Sequence, residues 1–390
     1  MKNFIYDIPT RVLFGKGQIE NLGKEVKKHA TKVLFLYGKN SIKKNGLYED
    51  VIKYLTAEGV DIVELAGVDP NPRIETVYEG ADLCRKHGLQ LVLAVGGGSV
   101  IDCAKAISAQ AKYSGDVWKD LCCEKKFYLL TEALPVASIL TLSATGSEMN
   151  GGSVITNLNE NLKLSLSSQL LKPVFSILDP TYTMSVSPYQ TAAGVVDIMS
   201  HLFEQYFSPD KGGFIQSRIM EALLKTVIHF APIVMKDPHN YEARAHIMWA
   251  SSLSLNGLTS LGKESTDWAT HLIEHELSAK YDITHGVGLG ILTPYWMEYV
   301  LSEENIHRFV EYANNVWGIF GDDNLKVAKE VINKTRDFFT SLDIPSTLNE
   351  INIDSSQFEA MAQSAVSRGP IGTMKKLNYE DVLNILDMAL

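Results

Sequence analysis

An acidic residue and several histidines recur at helical spacing in the second half of the chain. Asp197 and His201 are four residues apart in a segment of helical periodicity, and His271 and His275 repeat that spacing. Residues at positions i and i+4 share one face of a helix, so both members of a pair can reach one ion. His285 follows in a predicted turn that ends in glycine. One carboxylate and several imidazoles suit a borderline divalent ion such as Fe²⁺ or Zn²⁺.

Each of these histidines also has a simpler interpretation. A single histidine is more often a hydrogen-bonded core residue or a surface residue than a metal ligand. The two spaced pairs favour a metal site when they are taken together. Periodicity alone does not show that the two predicted helices meet, so both interpretations stay open at this stage.

A glycine-rich turn forms a second candidate site. Gly96, Gly97, Gly98 and Ser99 follow a leucine- and valine-rich strand and precede a predicted helix. Glycine lets the backbone approach a ligand closely, and the free N–H groups of a helix N-terminus attract phosphate. Asp102, in the first helical turn, could cap those N–H groups or contact the ligand. The turn matches neither the GxGxxG nor the Walker A pattern, and a tight turn without a ligand is the alternative.

Two further strand ends extend this candidate nucleotide site. The first predicted strand ends in Gly38, Lys39, Asn40 and Ser41, where the adenosine ribose of a dinucleotide would lie. This segment has no acidic residue for a free 2′-hydroxyl, while its polar side chains could accept a 2′-phosphate, which slightly favours NADPH over NADH. Lysines on such turns are equally common as solvated charges. Residues 141–148, rich in hydroxyl groups, follow another strand and could line the cofactor or cap a helix.

The order of predicted elements indicates an α/β domain followed by an all-helical one. Strands are predicted over 32–37, 60–65, 89–95, 134–142 and 174–178, and helices between them over 45–58, 76–87 and 101–110. This alternation is typical of a parallel, Rossmann-like sheet. Later segments have helical periodicity over 191–206, 216–234, 241–255, 267–280, 325–342 and 381–390. We expect a nucleotide-binding α/β domain over 1–185 and a helical, metal-binding catalytic domain over 186–390.

Composition limits the class of partner. A chain of 390 residues exceeds what one core usually organises, and the net charge of -10 argues against nucleic acid or an anionic membrane as the main partner. The four cysteines are not spaced like a disulfide framework and indicate reduced thiols in the cytoplasm. The N-terminus lacks the apolar stretch of a signal peptide, and no segment is apolar for long enough to span a membrane. We therefore expect a cytoplasmic protein with a small-molecule substrate.

The chain as a whole resembles the iron-containing (type III) alcohol dehydrogenases, in particular the bacterial NAD(P)H-dependent butanol dehydrogenases. The likeness covers nearly the whole sequence and is carried by motifs in the family's order. These motifs lie at 8–17, 69–73, 96–102, 141–149, 178–180, 192–201 and 271–292. Many matched motifs in the right order are specific for the family and less specific for the substrate.

The resemblance implies roles for individual residues. It implies that one divalent ion, Fe²⁺ or Zn²⁺, is bound by Asp197, His201, His271 and His285, and that His275 lies near the nicotinamide. The implied contacts to NADP or NAD fall on Gly97, Gly98, Ser99, Asp102, Thr141, Leu142, Thr145 and Lys163, with Gly38, Lys39, Asn40 and Ser41 at the adenosine end. It also implies a homodimer. Some relatives use NADH although they too lack an acidic residue in the adenosine turn.

The implied reaction moves hydride between NAD(P)H and a small aldehyde or primary alcohol such as butanal or butanol. His275 is the titratable candidate for proton transfer, with ribose hydroxyls and water as the alternative route. Three rival functions stay open: a sugar-phosphate cyclase of the dehydroquinate synthase type, a glycerol dehydrogenase, and a non-catalytic binding protein. The cyclase would need clustered basic residues to hold a substrate phosphate, and none cluster near the histidine pairs.

Overall fold

The computed structural model of the chain describes residues 1–209 and 213–390, which divide into two units. The sheet unit consists of residues 7–186 and 238–256. The helical unit consists of residues 1–6 and 257–390 and of the described part of 187–237. These units differ from the predicted ranges 1–185 and 186–390 in two segments, 1–6 and 238–256, and at the single residue Val186. The predicted domain limits themselves stay a proposal.

Six parallel strands form the centre of the sheet unit. They are β1 (Arg11–Phe14), β2 (Lys32–Tyr37), β3 (Asp61–Leu65), β4 (Leu91–Gly96), β5 (Val136–Leu140) and β8 (Phe175–Leu178), in the order β1-β8-β5-β4-β2-β3. An antiparallel hairpin is formed by β6 (Gly152–Asn157) and β7 (Leu162–Ser167). Five of these strands overlap the predicted ones. Strand β1 and the hairpin were not predicted, because their short runs mix polar and apolar residues.

Helices cover both faces of this sheet, which explains its continuous apolar strands. The helices of the sheet unit are α1 (Leu22–Lys27), α2 (Ser41–Lys44), α3 (Leu47–Ala57), α4 (Ile74–His87), α5 (Gly98–Lys112) and α8 (Tyr241–Ser254). Successive residues of a strand point to opposite faces. Leu34 and Leu36 of β2 pack into one core with α4 and α5, while Val33 and Phe35 pack into a second core with α1 and α3.

The helical unit contains the remaining α-helices of the described chain. They are α6 (Pro188–Tyr206), α7 (Phe214–Lys236), α9 (Ala269–Tyr281), α10 (His285–Val300), α11 (Ile306–Tyr312), α12 (Asn324–Thr340), α13 (Phe358–Ala365) and α14 (Tyr379–Met388). Helix α6 begins with a proline at its first position, and the Ser187 side chain accepts a hydrogen bond from Gln190 N at 3.3 Å. None of the helices in the described ranges combines the length and the apolar character needed to cross a membrane.

The segment around His285 differs from its prediction as a turn. His285 is the first residue of α10, and the glycines that follow it lie inside that helix. Gly286 packs so closely on α6 that a Cβ atom there would lie 2.0 Å from the backbone oxygen of Ala193. The glycines of α10 therefore allow close helix packing, whereas the sequence pattern suggested a break.

Candidate functional site

Three helices of the helical unit bring the predicted metal ligands together. Helix α6 carries Asp197 and His201, α9 carries His271, and α10 begins at His285. The first three side chains are buried, with relative exposures of 3%, 5% and 6% respectively. The close approach of α10 to α6 brings His285 to the same cluster. The structure thus shows that the predicted helices meet, which periodicity alone could not show.

The distances in this cluster suit one small divalent ion. Asp197 Oδ1 lies 3.6 Å from His201 Nδ1, 3.9 Å from His271 Nε2 and 3.8 Å from His285 Nε2. Four ligand atoms arranged tetrahedrally at about 2.1 Å from an ion are about 3.4 Å apart. The three distances measured from Asp197 Oδ1 therefore exceed that spacing by only a few tenths of an ångström.

The hydrogen bonding of the cluster also fits a bound ion. Asp197 Oδ1, His201 Nδ1 and His271 Nε2 are buried and have no hydrogen-bond partner within the described part of the chain. Buried polar atoms are nearly always paired, so three unpaired atoms that face one another need an explanation. Asp197, His201 and His271 form a group whose ligand atoms all lie within 4.8 Å of one another. A divalent cation would satisfy all three.

Two glutamates that sequence analysis missed support these histidines. Glu204 Oε1 lies 3.0 Å from His271 Nδ1 and also accepts a hydrogen bond from His271 N at 2.9 Å. Glu274 Oε2 pairs with His285 Nδ1. Each carboxylate holds a proton on Nδ1 and leaves Nε2 available for the ion. Spacing could have identified Glu204, because it lies three residues after His201 on the same helix.

The charges of the cluster keep two ligands ready for an ion. Burial alone would raise the pKa of Asp197, but His201, His271 and His285 outweigh it and hold that pKa well below its usual range. Burial, helped by the other two imidazoles, lowers the pKa of His201 to about 3, so this ring is neutral at pH 7. Asp197 is therefore ionised and His201 unprotonated, which is the state that metal binding requires.

His271 behaves differently because it lies between two carboxylates. Burial opposes its protonation, but the neighbouring carboxylates of Asp197 and Glu204 raise the pKa of His271 to about 9. A proton on this ring balances charge when no ion is bound. An entering cation would displace that proton, since both compete for the same nitrogen.

His275 lies next to the cluster. It is half-buried, and its ring centroid is 5.6 Å from that of His285. Glu274, His275 and His285 form a second group whose potential ligand atoms lie within 4.8 Å of one another. His275 is therefore adjacent to one of the predicted metal ligands.

In the sheet unit, three predicted cofactor turns lie at neighbouring strand ends. Strands β5, β4 and β2 are adjacent and parallel, so the turns that follow them lie at one edge of the sheet. The turn after β5 holds Thr141 and Leu142, and the turn after β4 holds Gly97, Gly98 and Ser99. The turn after β2 holds Gly38, Lys39, Asn40 and Ser41.

The glycine-rich turn is closely packed and its helix is uncapped. Helix α5 starts at Gly98, and no described side chain caps its first turn. A Cβ atom at Gly98 would lie 2.3 Å from Thr145 Oγ1, and one at Gly97 would lie 3.3 Å from Leu142 Cβ. The structure thus brings these four predicted residues together beside free helix N–H groups, a favourable place for phosphate.

Asp102 and Lys163 connect this turn to the hairpin. Asp102 accepts hydrogen bonds from Ser147 Oγ and from Val154 N of β6, the latter at 2.9 Å. Both of its carboxylate oxygens are engaged, so neither of them caps the first turn of α5. Burial raises the pKa of Asp102, while the charges of Lys105 and Lys163 act against that rise. Lys163 lies on β7 and is 9% exposed.

Lys105 is a buried cation that sequence analysis missed. Its ammonium donates hydrogen bonds to Ser147 Oγ at 2.7 Å, Asn150 Oδ1 at 3.1 Å and Gly152 O at 2.7 Å. Burial lowers the pKa of Lys105 to about 8, and the carboxylates of Asp102 and Glu148 oppose that shift. Lys105 thereby ties α5 to the segment that follows the turn of Thr141 and Leu142.

The turn at the predicted adenosine end contains no acidic residue, but an acidic residue of another loop lies beside it. Lys39 Nζ lies 3.0 Å from Asp69 Oδ1, and Gly67 N donates to Gly38 O at 3.0 Å. The loop after β3 thus brings a carboxylate to this turn. Because Lys39 already has an anionic partner, the slight preference for NADPH rests on a weaker basis than the sequence suggested.

Comparison with known proteins gives matches over both units. The family model "Iron-containing alcohol dehydrogenase" matches residues 9–180, and the model "Fe-containing alcohol dehydrogenase family, C-terminal" matches residues 191–390. A Clostridium acetobutylicum protein named NADH-dependent butanol dehydrogenase A is 52% identical over 388 residues, 99% of each chain. The Escherichia coli NADPH-dependent aldehyde reductase YqhD is 38% identical and aligns over 95% of this chain and 94% of its own.

A solved structure shows the same similarity. The crystal structure of NADH-dependent butanol dehydrogenase A from Thermotoga maritima superposes with a TM-score of 0.95 at 37% sequence identity. The match covers 100% of this chain and 99% of that one.

Proposed function

This chain belongs to the iron-containing alcohol dehydrogenase family, and from that premise we propose that it transfers hydride between NADH or NADPH and a small aldehyde or primary alcohol. Butanal and butanol are the substrate pair that the names of its relatives support. We further propose that Asp197, His201, His271 and His285 bind one Fe²⁺ or Zn²⁺ ion. The observation that carries this proposal is the convergence of the buried, unpaired ligand atoms of Asp197, His201 and His271, with His285 Nε2 lying 3.8 Å from Asp197 Oδ1.

The side chains of the cluster prepare the site for this chemistry. When bound, the ion supplies a Lewis acid that polarises a carbonyl oxygen, and the reduced nicotinamide supplies the hydride. Asp197 contributes a negative charge, and His201 contributes a neutral imidazole. Glu204 and Glu274 keep the rings of His271 and His285 in the orientation and protonation that coordination requires.

His275 is proposed to exchange the proton of the reaction. Aldehyde reduction leaves an alkoxide oxygen that must gain a proton, and histidine is the side chain most often used for proton transfer of this kind. The position of His275 beside His285 supports this role. In the direction of alcohol oxidation, the same ring nitrogen would accept the proton.

The cofactor is proposed to bind along the strand ends of the sheet unit. The uncapped start of α5 and the turn of Gly97, Gly98 and Ser99 suit the diphosphate. Thr141, Leu142, Thr145, Asp102 and Lys163 complete that region, and residues 38–41 hold the adenosine end. Both NADH and NADPH are named among the relatives, and we propose a slight preference for NADPH.

We also propose a cytoplasmic homodimer. The cytoplasm is supported by the cysteines, none of which is disulfide-bonded and three of which are buried. The dimer is supported by apolar side chains exposed near the N-terminus, since Phe4 and Ile5 are 50% and 91% exposed.

Restoration of activity by metal tests the proposed function. The protein would be stripped with a chelator, and its fold would be checked by circular dichroism. Loss of absorbance by NADH and, separately, NADPH would then be followed with butanal, while Fe²⁺ under anaerobic conditions or Zn²⁺ is added back. We expect cofactor consumption only after an ion is restored, and the two rates rank the cofactors. No consumption under any combination, by folded protein that binds metal, would exclude the dehydrogenase function.

A further inference from the structure

The residue that precedes α9 has an uncommon backbone conformation. Trp268 has φ 69° and ψ 9°, in the left-handed region that bulky residues rarely adopt. Such a conformation persists only where its surroundings hold it, and it is concentrated at functional sites. The contacts of Trp268 show both what holds it and what it positions.

The preceding residue fixes the backbone on one side of Trp268. Asp267 N donates to Glu204 O at 2.8 Å, so this peptide is attached to the helix that carries two metal ligands. Asp267 Oδ2 accepts hydrogen bonds from Thr373 N at 2.6 Å and from Met374 N at 2.7 Å. The chain therefore enters α9 along a fixed path, which offsets the cost of the left-handed residue.

The indole ring is fixed as well, and it lies against two metal ligands. Its Nε1 donates a hydrogen bond to Thr266 Oγ1 at 2.7 Å. Its centroid lies 5.2 Å from that of His271, at an interplanar angle of 68°, and 6.1 Å from that of His201, at 59°. These are edge-to-face and tilted contacts at distances where aromatic rings attract each other.

His201 depends on such packing more than its neighbours do. His271 and His285 each have a glutamate on Nδ1, which sets their ring orientation. The Nδ1 atom of His201 instead faces Asp197 Oδ1 at 3.6 Å without a hydrogen-bond partner, and no glutamate within the described ranges contacts the other ring nitrogen. The final torsion of a histidine side chain is broad, so an imidazole without hydrogen bonds is oriented mainly by contact. The rings in contact with His201 are those of His271, 4.8 Å away, and Trp268.

We propose that Trp268 is a positioning residue of the metal site, which fixes the ring orientations of His201 and His271 before an ion binds. Its left-handed backbone is retained because it points the indole at these two rings. This inference rests on the proposed function, in which both histidines are metal ligands. Its consequence is that loss of the indole weakens metal binding and alters coordination geometry, even in the absence of cofactor and substrate.

Cobalt titration of metal-stripped protein tests this role without reference to activity. Co²⁺ reports the geometry of its ligands through its visible d–d absorption, and the titration gives its affinity. We expect Trp268→Ala to bind Co²⁺ about tenfold more weakly than the wild type, within the range seen when groups that orient ligands are removed. We also expect the d–d bands to shift. Trp268→Phe should restore most of both properties, because a phenyl ring keeps the aromatic contact.

Two further variants separate the ring from the backbone and from general stability. Trp268→Gly removes the ring but accepts a positive φ without strain, so it should fold well and still show the weak, altered Co²⁺ site. Trp317→Ala removes another half-buried indole of the helical unit, which packs on Phe338, and should leave the Co²⁺ spectrum unchanged.

The outcomes separate this inference from the proposed function. Wild-type affinity and spectrum in both Trp268→Ala and Trp268→Gly would overturn the positioning role alone. Failure of the wild-type protein to bind Co²⁺ would overturn the proposed metal site and this inference with it. A weakened and shifted Co²⁺ site in both variants, with recovery in Trp268→Phe, would establish the role.

Discussion

Asp197 is the only acidic residue among the proposed ligands, and its Oδ1 atom faces all three imidazoles. Burial of a lone carboxylate is costly, and in this cluster the neighbouring imidazoles outweigh that cost. The unpaired atoms of the cluster mean that the site is more stable when a cation is bound. Substitution of a single side chain of the cluster should therefore change metal content first and turnover as a consequence.

Asp197→Ala should lose metal and activity together. The substitution removes the one negative charge that faces the three imidazoles, so affinity should fall by more than the roughly 10–100-fold that loss of a supporting residue costs. Metal content by elemental analysis and NAD(P)H-linked butanal reduction are the two measurements. Asp322→Ala, at an exposed carboxylate of the same unit, is the control and should retain both. Full metal content in Asp197→Ala would refute its assignment as a ligand.

Glu204→Gln should weaken metal binding without removing a ligand. The amide keeps the shape of the side chain but cannot stabilise a proton on His271 Nδ1 as a carboxylate does. We expect a loss of about 10–100-fold in metal affinity, measured by titration against a chromophoric chelator. Glu303→Gln, at an exposed position, is the matched control. Equal affinities for the two variants would show that Glu204 does not support His271.

His275→Ala should keep its metal but turn over slowly. The side chain lies beside His285, outside the group around Asp197, and its proposed task is proton transfer. Loss of a general acid or base typically costs about 10²–10⁴-fold in rate. Steady-state kinetics and elemental analysis of the same preparation measure both properties. Loss of the ion in this variant would move His275 into the ligand set.

At the scale of the elements, periodicity predicted the helices that carry the site residues better than it predicted where helices begin or how they contact one another. The four-residue spacings placed Asp197, His201 and His271 on real helices, because a buried helix face imposes that period. The start of α10 was missed, because glycines that serve close packing look like a break in a single sequence. Glu274 and Trp268 were missed because their importance depends on contacts between helices, which periodicity does not encode.

Gly286→Ala should separate α10 from α6 and so disturb the metal site. The new Cβ atom would meet the backbone oxygen of Ala193, and a backbone atom cannot move aside as the end of a flexible side chain can. We expect a loss of about 1–3 kcal/mol in the free energy of unfolding, typical of overpacking, together with weaker metal binding because His285 is carried on the displaced helix. Denaturant unfolding and metal titration measure these effects.

Gly152→Ala serves as the comparison for that variant. A Cβ atom there would have its nearest neighbour, Asn150 Oδ1, at 3.4 Å, an ordinary contact. We expect its metal binding to match the wild type. Wild-type stability and metal affinity in Gly286→Ala would contradict the role given to close packing of α10.

At the scale of the whole molecule, each of the two units has its own site chemistry. The sheet unit offers an uncapped helix beside three strand-end turns, and the helical unit offers a charged cluster of ligands. Family models match both parts of the chain, so the proposed nucleotide site and the proposed metal site each lie within a region that the family shares. Neither site alone accounts for hydride transfer, since the reaction needs both the cofactor and the ion.

We predict that the protein is a homodimer, and its oligomeric state is a property of the whole molecule. Light scattering coupled to size exclusion should therefore give a mass of twice the chain mass of 43.2 kDa. The exposed apolar side chains of Phe4 and Ile5 give a physical reason for association. A mass equal to one chain, over a range of protein concentrations, would contradict the dimer.

Anomalous diffraction from crystals of Zn²⁺- or Fe²⁺-loaded protein tests the central claim most directly. Data collected at the absorption edge of the metal locate the ion without reference to activity. We predict one strong peak, within about 2.0–2.2 Å of a carboxylate oxygen of Asp197 and of one nitrogen each of His201, His271 and His285. A strong peak elsewhere in the molecule, or none at these four side chains in protein shown to contain the metal, would contradict the proposed site.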